Sequence, residues 1–270
     1  SFAKAPKTYI YNDDLSILDR PFYLMEKIDG IVLTANEVSN RKITAVEFEQ
    51  ISKEWLNTFI ELHSIDFKSV GLGDLGKPIG YVDRQIEIWS KQYKAAMTSE
   101  IESADKVIKW LNENKPASKQ ISLIHNDYKY DNVVYRNEKW NEINSILDWE
   151  MCTIGDPLMD LGTSIAYWTM SNDHPVILNG LKSPTVLPGN PSRSKIVELY
   201  CEQTQTKLDD FVFYYVYGLF KIAVIVQQIY FRYKKGLTGD KRFSKLDKYA
   251  KVLSDTAWQS IQKMQIENLF

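Results

Sequence analysis

The sequence predicts an α+β chain: two short strands at its start, a β-hairpin near its middle, and a mostly helical body around them. Three observations carry this expectation. Thr8-Tyr9-Ile10-Tyr11 and Phe22-Tyr23-Leu24-Met25 are β-prone runs separated by the turn-forming Asn12-Asp13-Asp14. Val133-Val134-Tyr135 and the run from Ile143 to Leu147 are split by polar Arg136-Asn137-Glu138-Lys139, the pattern of a second hairpin. Elsewhere apolar residues recur at helical spacing.

Taken in order, residues 1–30 form two strands and a hinge, Glu26-Lys27-Ile28-Asp29-Gly30, and residues 31–270 form one helical lobe. Thr44 and Glu47 make a capping box that opens a helix carrying Phe48, Ile51, Trp55, Phe59 and Leu62 on one face, with His63 at its end as a capping or packing residue. The glycines of 66–80 lack the spacing and the strand-to-helix setting of a phosphate cradle. A helix from about Tyr81 to Met97 buries Ile86, Trp89, Tyr93 and Met97, and Ser99 with Glu102 opens another. The proline-rich stretch 172–192 reads as irregular, and helices over about 193–206, 209–235 and 242–265 close the chain.

A chain of 270 residues that is 44% hydrophobic can bury a substantial core. With 33 Lys+Arg against 35 Asp+Glu the net charge is −2, which gives no basic surface for nucleic acid. Cys152 and Cys201 form neither a disulfide framework nor a metal pattern, and a reducing cytoplasm suits them. No basic, apolar, small-residue leader is visible at the start. Phe211 to Phe231 is apolar enough to span a membrane, but Lys221, Gln227 and Gln228 interrupt it and Lys234-Lys235-Gly236 ends it as a soluble helix ends, so a core helix is expected.

The chemistry is concentrated between Ile124 and Asp160. Asp127 and Asn132 stand five residues apart, the spacing at which one loop aims a carboxylate at a substrate hydroxyl and an amide oxygen at a metal; Asp148 completes the set. One neutral and one anionic oxygen, with phosphate oxygens and water, is what Mg²⁺ takes. Lys129 can set a compact positive charge against a γ-phosphate. The hairpin should bring Asn132 beside Asp148, and Asp156-Pro157 should start a helix with Asp160 one turn in.

His125-Asn126-Asp127-Tyr128-Lys129-Tyr130-Asp131-Asn132 resembles the catalytic loop of the aminoglycoside phosphotransferase and choline kinase superfamily, usually H-G-D-x-x-x-x-N, and Ile146-Leu147-Asp148-Trp149-Glu150 resembles its metal motif. Asn126 stands in place of the glycine; asparagine tolerates unusual backbone angles better than most residues. Gly71-Leu72-Gly73-Asp74-Leu75-Gly76, Gly80-Tyr81 with Arg84-Gln85 and Trp89, Gly155-Asp156-Pro157, and Arg232-Tyr233 with Gly236 are similar to the branch found at the head of some acyl-CoA dehydrogenase family proteins.

The resemblance implies a protein-kinase-like fold and transfer of phosphate from ATP, with Mg²⁺, to a small-molecule hydroxyl. It implies that the backbone of Glu26, Lys27 and Ile28 meets the adenine, that Gly30 lets the chain turn into the large lobe, and that Asp160 braces the catalytic loop. His125 is expected to support the loop, and Glu150 to act behind the metal or beside it. The phosphate-covering loop, strand lysine and helix glutamate of the family have no counterpart in 1–30, so the chain is expected to be N-terminally incomplete and to lack part of the ATP site. Tyr81, Arg84, Tyr167 and Trp168 suit an acceptor with an apolar body and an anionic end, and a hydroxyacyl compound or its CoA thioester is expected. A kinase-shaped binding module without activity, and an aminoglycoside or choline kinase, are the alternatives.

Overall fold

The computed structural model describes residues 2–117, 120–208 and 210–270. The expected first hairpin is present as β1 (Thr8–Asn12) and β2 (Phe22–Met25), paired antiparallel. The chain then turns at Gly30, where φ is +151° and a Cβ would lie 2.4 Å from the Tyr135 carbonyl oxygen, so only glycine fits the crossing. A short β3 (Ile31–Val32) follows, then α1 (Ala35–Arg41), neither of which the apolar pattern announced.

Helix α2 (Ala45–His63) has the expected capping box and buries Phe48, Ile51, Trp55, Phe59 and Leu62. Helix α3 (Tyr81–Ala96) buries Ile86, Trp89 and Tyr93, but Met97 caps it and is exposed. Helix α4 (Glu102–Glu113) has no side-chain cap. The expected Ser99 and Glu102 box does not form, because Ile101 is drawn into the core as the N-cap and Glu102 pairs with Lys106 at 2.8 Å.

Next come β4 (Ser122–Ile124), the expected middle hairpin β5 (Val133–Tyr135) and β6 (Ile143–Ile146), and β7 (Thr153–Gly155). Strands β3, β5 and β6 form one sheet and β4 pairs with β7 in another. Helix α5 (Pro157–Tyr167) is capped by Asp156, whose carboxylate accepts from the Leu158 and Met159 amides at 2.8 and 3.3 Å. The stretch read as irregular holds α6 (Pro175–Leu181) and a 3₁₀ turn at Pro184–Val186. Pro175 sits at the first helical position behind the His174 cap, where its missing N–H costs nothing, so it starts a helix rather than breaking one.

Helices α7 (Arg193–Thr204), α8 (Val212–Lys234) and α9 (Leu246–Lys263) complete the lobe. Asp209, where the last long apolar pattern was expected to open, lies outside the described residues. Helix α8 is long and apolar enough to cross a membrane, and most of its apolar window is instead packed inside the protein. It lies against α5, α9, α3 and α4. Its approach to α5 is backbone to backbone: a Cβ on Gly162 would lie 2.2 Å from the Tyr214 carbonyl oxygen, and one on Gly218 2.3 Å from that of Gly162. This close crossing fixes the helix that carries Asp160 against the long core helix.

Candidate active site

The catalytic loop leaves β4 at Ile124, opposite Thr153 of β7, and is held from below by α5. Asp160 is fully buried there and accepts three hydrogen bonds, from the His125 amide at 2.6 Å, the Asn126 amide at 2.8 Å and His63 Nε2 at 3.1 Å. Burial pushes the Asp160 carboxyl up, but the His63 hydrogen bond, the neighbouring His63 imidazole and the His125 amide outweigh it and hold the group below the ordinary carboxylate value. Two amides aimed at one carboxylate force the loop to turn, and Asn126 adopts φ +68°.

His125 is buried and its pKa is lowered, chiefly by desolvation, so it is the neutral imidazole. Its two nitrogens close the loop on both sides. Nδ1 accepts from the Asp127 amide at 3.2 Å, which leaves the proton on Nε2 to be donated to the Leu147 carbonyl at 2.9 Å. The Leu147 amide in turn donates to the Asn132 carbonyl at 2.8 Å. Leu147 is thus pinned to the start and to the end of the loop, and Asp148, the next residue, is presented beside Asn132 as the hairpin predicts.

Asn132 follows from a 3₁₀ turn, Tyr130–Asn132, and is buried. Its Nδ2 donates to both the main-chain oxygen and the Oδ2 of Asp127, each at 2.8 Å. The amide nitrogen is therefore spent on Asp127 and the amide oxygen is left as an acceptor. Asp148 has φ +65°, is exposed, and makes no hydrogen bond or ion pair among the described residues. No group of three or more His, Cys, Asp or Glu among the described residues could hold a metal by itself. One amide oxygen and one free carboxylate suit a hard cation that takes its remaining ligands from phosphate and water.

Asp127 is only partly covered and is paired with Lys129 Nζ at 2.8 Å. Lys129 lies 4.7 Å from the centre of the Tyr167 ring, and the Tyr167 hydroxyl bonds to Asp127, its pKa raised well above normal by burial first and by that carboxylate second. Asp127, Lys129 and Tyr167 therefore share one face of the site, with Asn132 on the other side of the carboxylate.

The structure separates the other expected acceptor residues from that face. Trp168 is a correction: it is 2% exposed, packs on Trp55 and Tyr130, and donates Nε1 to the Pro191 carbonyl at 3.0 Å. Helix α5 ends at Tyr167, so the next residue leaves the helix and its ring turns into the core. Arg84 is a second correction, since its guanidinium folds back onto the Lys77 and Ile79 carbonyls and braces the loop before α3. Tyr81 is buried under the catalytic loop, donating to Asn126 Oδ1 at 3.2 Å, and so supports the loop rather than facing an acceptor. Glu150 is exposed in the 3₁₀ turn Trp149–Met151 and makes no hydrogen bond among the described residues.

Glu26, Lys27 and Ile28 border an open cavity of about 510 Å³ together with Gly30, Arg136 and Asn144. Among the described residues the main-chain groups of Lys27 and Ile28 are not used in backbone hydrogen bonds. Lys4 is built into the lobe: its carbonyl accepts from the Ile146 amide at 2.7 Å and its ammonium meets Glu61 at 2.7 Å. Cys152 is a free thiol whose pKa burial pushes up to about 12, which makes it a poor nucleophile.

Two supports escaped the sequence. His63 is not a simple cap: it bridges Asp160 to Tyr200, whose hydroxyl lies 2.7 Å from Nδ1. Tyr200 is 137 positions away and carries no local signal. Lys221, read only as a break in an apolar helix, lies behind the loop with Nζ 2.7 Å from the Asn126 carbonyl oxygen.

Comparison with known proteins places this site in a family. The chain is 31% identical over 258 residues to mouse acyl-CoA dehydrogenase family member 10, a match covering 93% of this chain and only 23% of that protein. A crystal structure from Ralstonia eutropha JMP134 assigned to the aminoglycoside phosphotransferases superposes with a TM-score of 0.82 at 29% identity, over 97% of this chain and 79% of the other. The fold alone is shared with the aminoglycoside phosphotransferase APH(4)-Ia in its complex with AMP-PNP and hygromycin B, at a TM-score of 0.60 and 12% identity over 96% of this chain and 78% of that one. The profile of the phosphotransferase enzyme family matches residues 2–191, which include every residue of the Asp127, Asn132 and Asp148 set; the chain belongs to that family and has its kinase-like fold.

Proposed function

We propose that the protein is an ATP-dependent small-molecule O-phosphotransferase whose acceptor is a hydroxylated acyl compound, free or as its CoA thioester. The observation that carries the catalytic part is the Asn132 amide, which spends its nitrogen on Asp127 and so holds the base and the metal-facing oxygen in one rigid unit. Asn132 and Asp148 would hold Mg²⁺, which supplies neutralisation of the β- and γ-phosphate charge when bound. Asp127 orients the acceptor hydroxyl. As the new oxygen–phosphorus bond forms and the bond to the departing ADP oxygen breaks, the hydroxyl proton passes to Asp127. Lys129, now paired with Asp127 and partly exposed, would trade the carboxylate for a γ-phosphate. The unused backbone groups at Lys27 and Ile28 fit the edge of an adenine.

For the acceptor, the Tyr167 ring beside Lys129 offers an apolar face and a cation at the reacting oxygen, which suits an acyl body with an anionic end. The match to part of an acyl-CoA dehydrogenase family protein supports the same class. The test is a panel of hydroxyacyl compounds and their thioesters, choline and kanamycin, given to the full-length protein with ATP and Mg²⁺. Phosphorylation of a hydroxyacyl compound is expected. Turnover of kanamycin or choline with none of any hydroxyacyl compound sinks the assignment, and a protein that turns over nothing while binding ATP would be a binding module.

The ligand set gives a separate expectation. Asp148→Ala removes the carboxylate presented beside Asn132, so calorimetry should show ATP affinity rising with Mg²⁺ in the wild type, by about tenfold or more, and indifferent to Mg²⁺ in the variant. Equal binding by both proteins with and without the metal would remove Asp148 from the metal site.

A further inference from the structure

Every polar group of Asn126 is taken by a different part of the fold. Its amide donates to Asp160 of α5 at 2.8 Å, its Nδ2 to the Met151 carbonyl at 3.0 Å, its Oδ1 accepts from Tyr81 of α3 at 3.2 Å, and its carbonyl accepts from Lys221 of α8 at 2.7 Å. Three of these partners are neutral or anionic. Lys221 is the cation, it is 1% exposed, and among the described residues no carboxylate lies within ion-pair distance of it. Its remaining contacts are Asn126 Oδ1 at 3.5 Å and the Trp89 ring at 5.6 Å.

Burying an ammonium without a paired carboxylate is costly. What the charge adds is a firmer hold on the carbonyl, since a charge-assisted hydrogen bond is about twice as strong as a neutral one. Desolvation pushes the Lys221 pKa down to about 8, and the fields of Asp160 and Asp127 oppose that fall while Lys129 adds to it. Two carboxylates thus act on the ammonium from beyond ion-pair distance, Asp160 in the buried support and Asp127 in the site.

We propose that Lys221 is a positioning residue: its ammonium clamps the carbonyl of the left-handed Asn126 and so fixes the direction in which Asp127 leaves the turn. The inference rests on the phosphotransferase reading only for its catalytic consequence. The peptide plane between Asn126 and Asp127 has its carbonyl held by Lys221 and its amide held by His125 Nδ1, so both ends of that plane are tied before the carboxylate begins. Without the first tie the plane can rotate on the second. A rotation of that plane swings the Asp127 side chain relative to Asn132 and Lys129, and displacements of this kind cost turnover without costing nucleotide binding.

The test is Lys221→Met, which keeps the length and loses the charge and the donor, in the full-length protein. Amide hydrogen exchange at Asn126 and Asp127 should quicken by about tenfold or more while the melting temperature changes by no more than a few degrees, because the lost donor and the removed buried charge act in opposite directions. On whichever acceptor the wild type phosphorylates, kcat should fall by roughly 10- to 100-fold, with the KM for ATP within about twofold. Wild-type exchange at these two amides would overturn the proposal, and so would a larger fall in melting temperature with faster exchange throughout α8, since that describes core packing alone. If Lys221→Met does not fold, Lys221→Leu, which also lacks both the charge and the donor, is read by the same criteria. The exchange measurement needs no acceptor, so it decides the role of Lys221 even where phosphoryl transfer itself fails to appear.

Discussion

Asp127→Ala should lower turnover by roughly 10²–10⁴-fold and leave nucleotide affinity nearly intact. The geometry explains why the two effects separate. The Asn132 amide nitrogen bonds to the main-chain oxygen of Asp127 as well as to its carboxylate, each at 2.8 Å, so truncating the side chain leaves Asn132 anchored and its oxygen still turned to the metal side. Lys129 loses its ion pair but is partly exposed, and water can take the vacant place. On the proposed reading, what disappears is the group that aims the acceptor hydroxyl and takes its proton. Steady-state kinetics beside nucleotide titration measure both quantities. A variant that loses ATP binding with its turnover would show that Asp127 belongs to the nucleotide site, and one that keeps wild-type turnover would remove it from the base role.

The grouping of Asp127, Asn132 and Asp148 was legible because its geometry is local. Asp127 and Asn132 lie in one loop, and a hairpin returns the chain to Asp148, so spacing and turn chemistry suffice to bring them together. The α2 capping box and the Asp156-Pro157 helix start were readable for the same reason. Arg84 and Trp168 show where this stops. A position off an apolar stripe says that a side chain leaves the helix face, but not that it curls back to two carbonyls of the preceding loop. Two adjacent aromatics say nothing of where a helix ends, and the end of α5 between Tyr167 and Trp168 sends one to the site and the other to the core. The supports are less visible still: His63 of α2 reaches Asp160 with Tyr200 of α7 behind it, Lys221 reaches the loop from α8, and a buried histidine or lysine in an apolar helix looks locally like a packing residue or a flaw.

Asp160→Asn should destabilise the protein by about 3–5 kcal/mol at neutral pH and abolish turnover, although residue 160 touches no substrate. The carboxylate accepts from two main-chain amides and from His63 in a site with no water access. An asparagine of the same shape has one acceptor oxygen, and its NH₂ must face at least one of those donors, so a buried N–H is left unpaired and the loop that carries Asp127 loses its anchor. The pH dependence follows from the lowered pKa of the carboxyl. A depressed acid contributes stability that is fully present above its ordinary value of 3.8 and is lost as pH falls through the lower value of the folded state. Urea melts should therefore show the gap between wild type and Asp160→Asn at its widest from about pH 5 upward and closing as pH falls below the ordinary carboxylate range. A gap that persisted unchanged into acid would mean that Asp160 supports the loop through its shape and not its charge. The anchor would then be packing, and the clustering of His63 and His125 around it would not be what holds the catalytic loop in place.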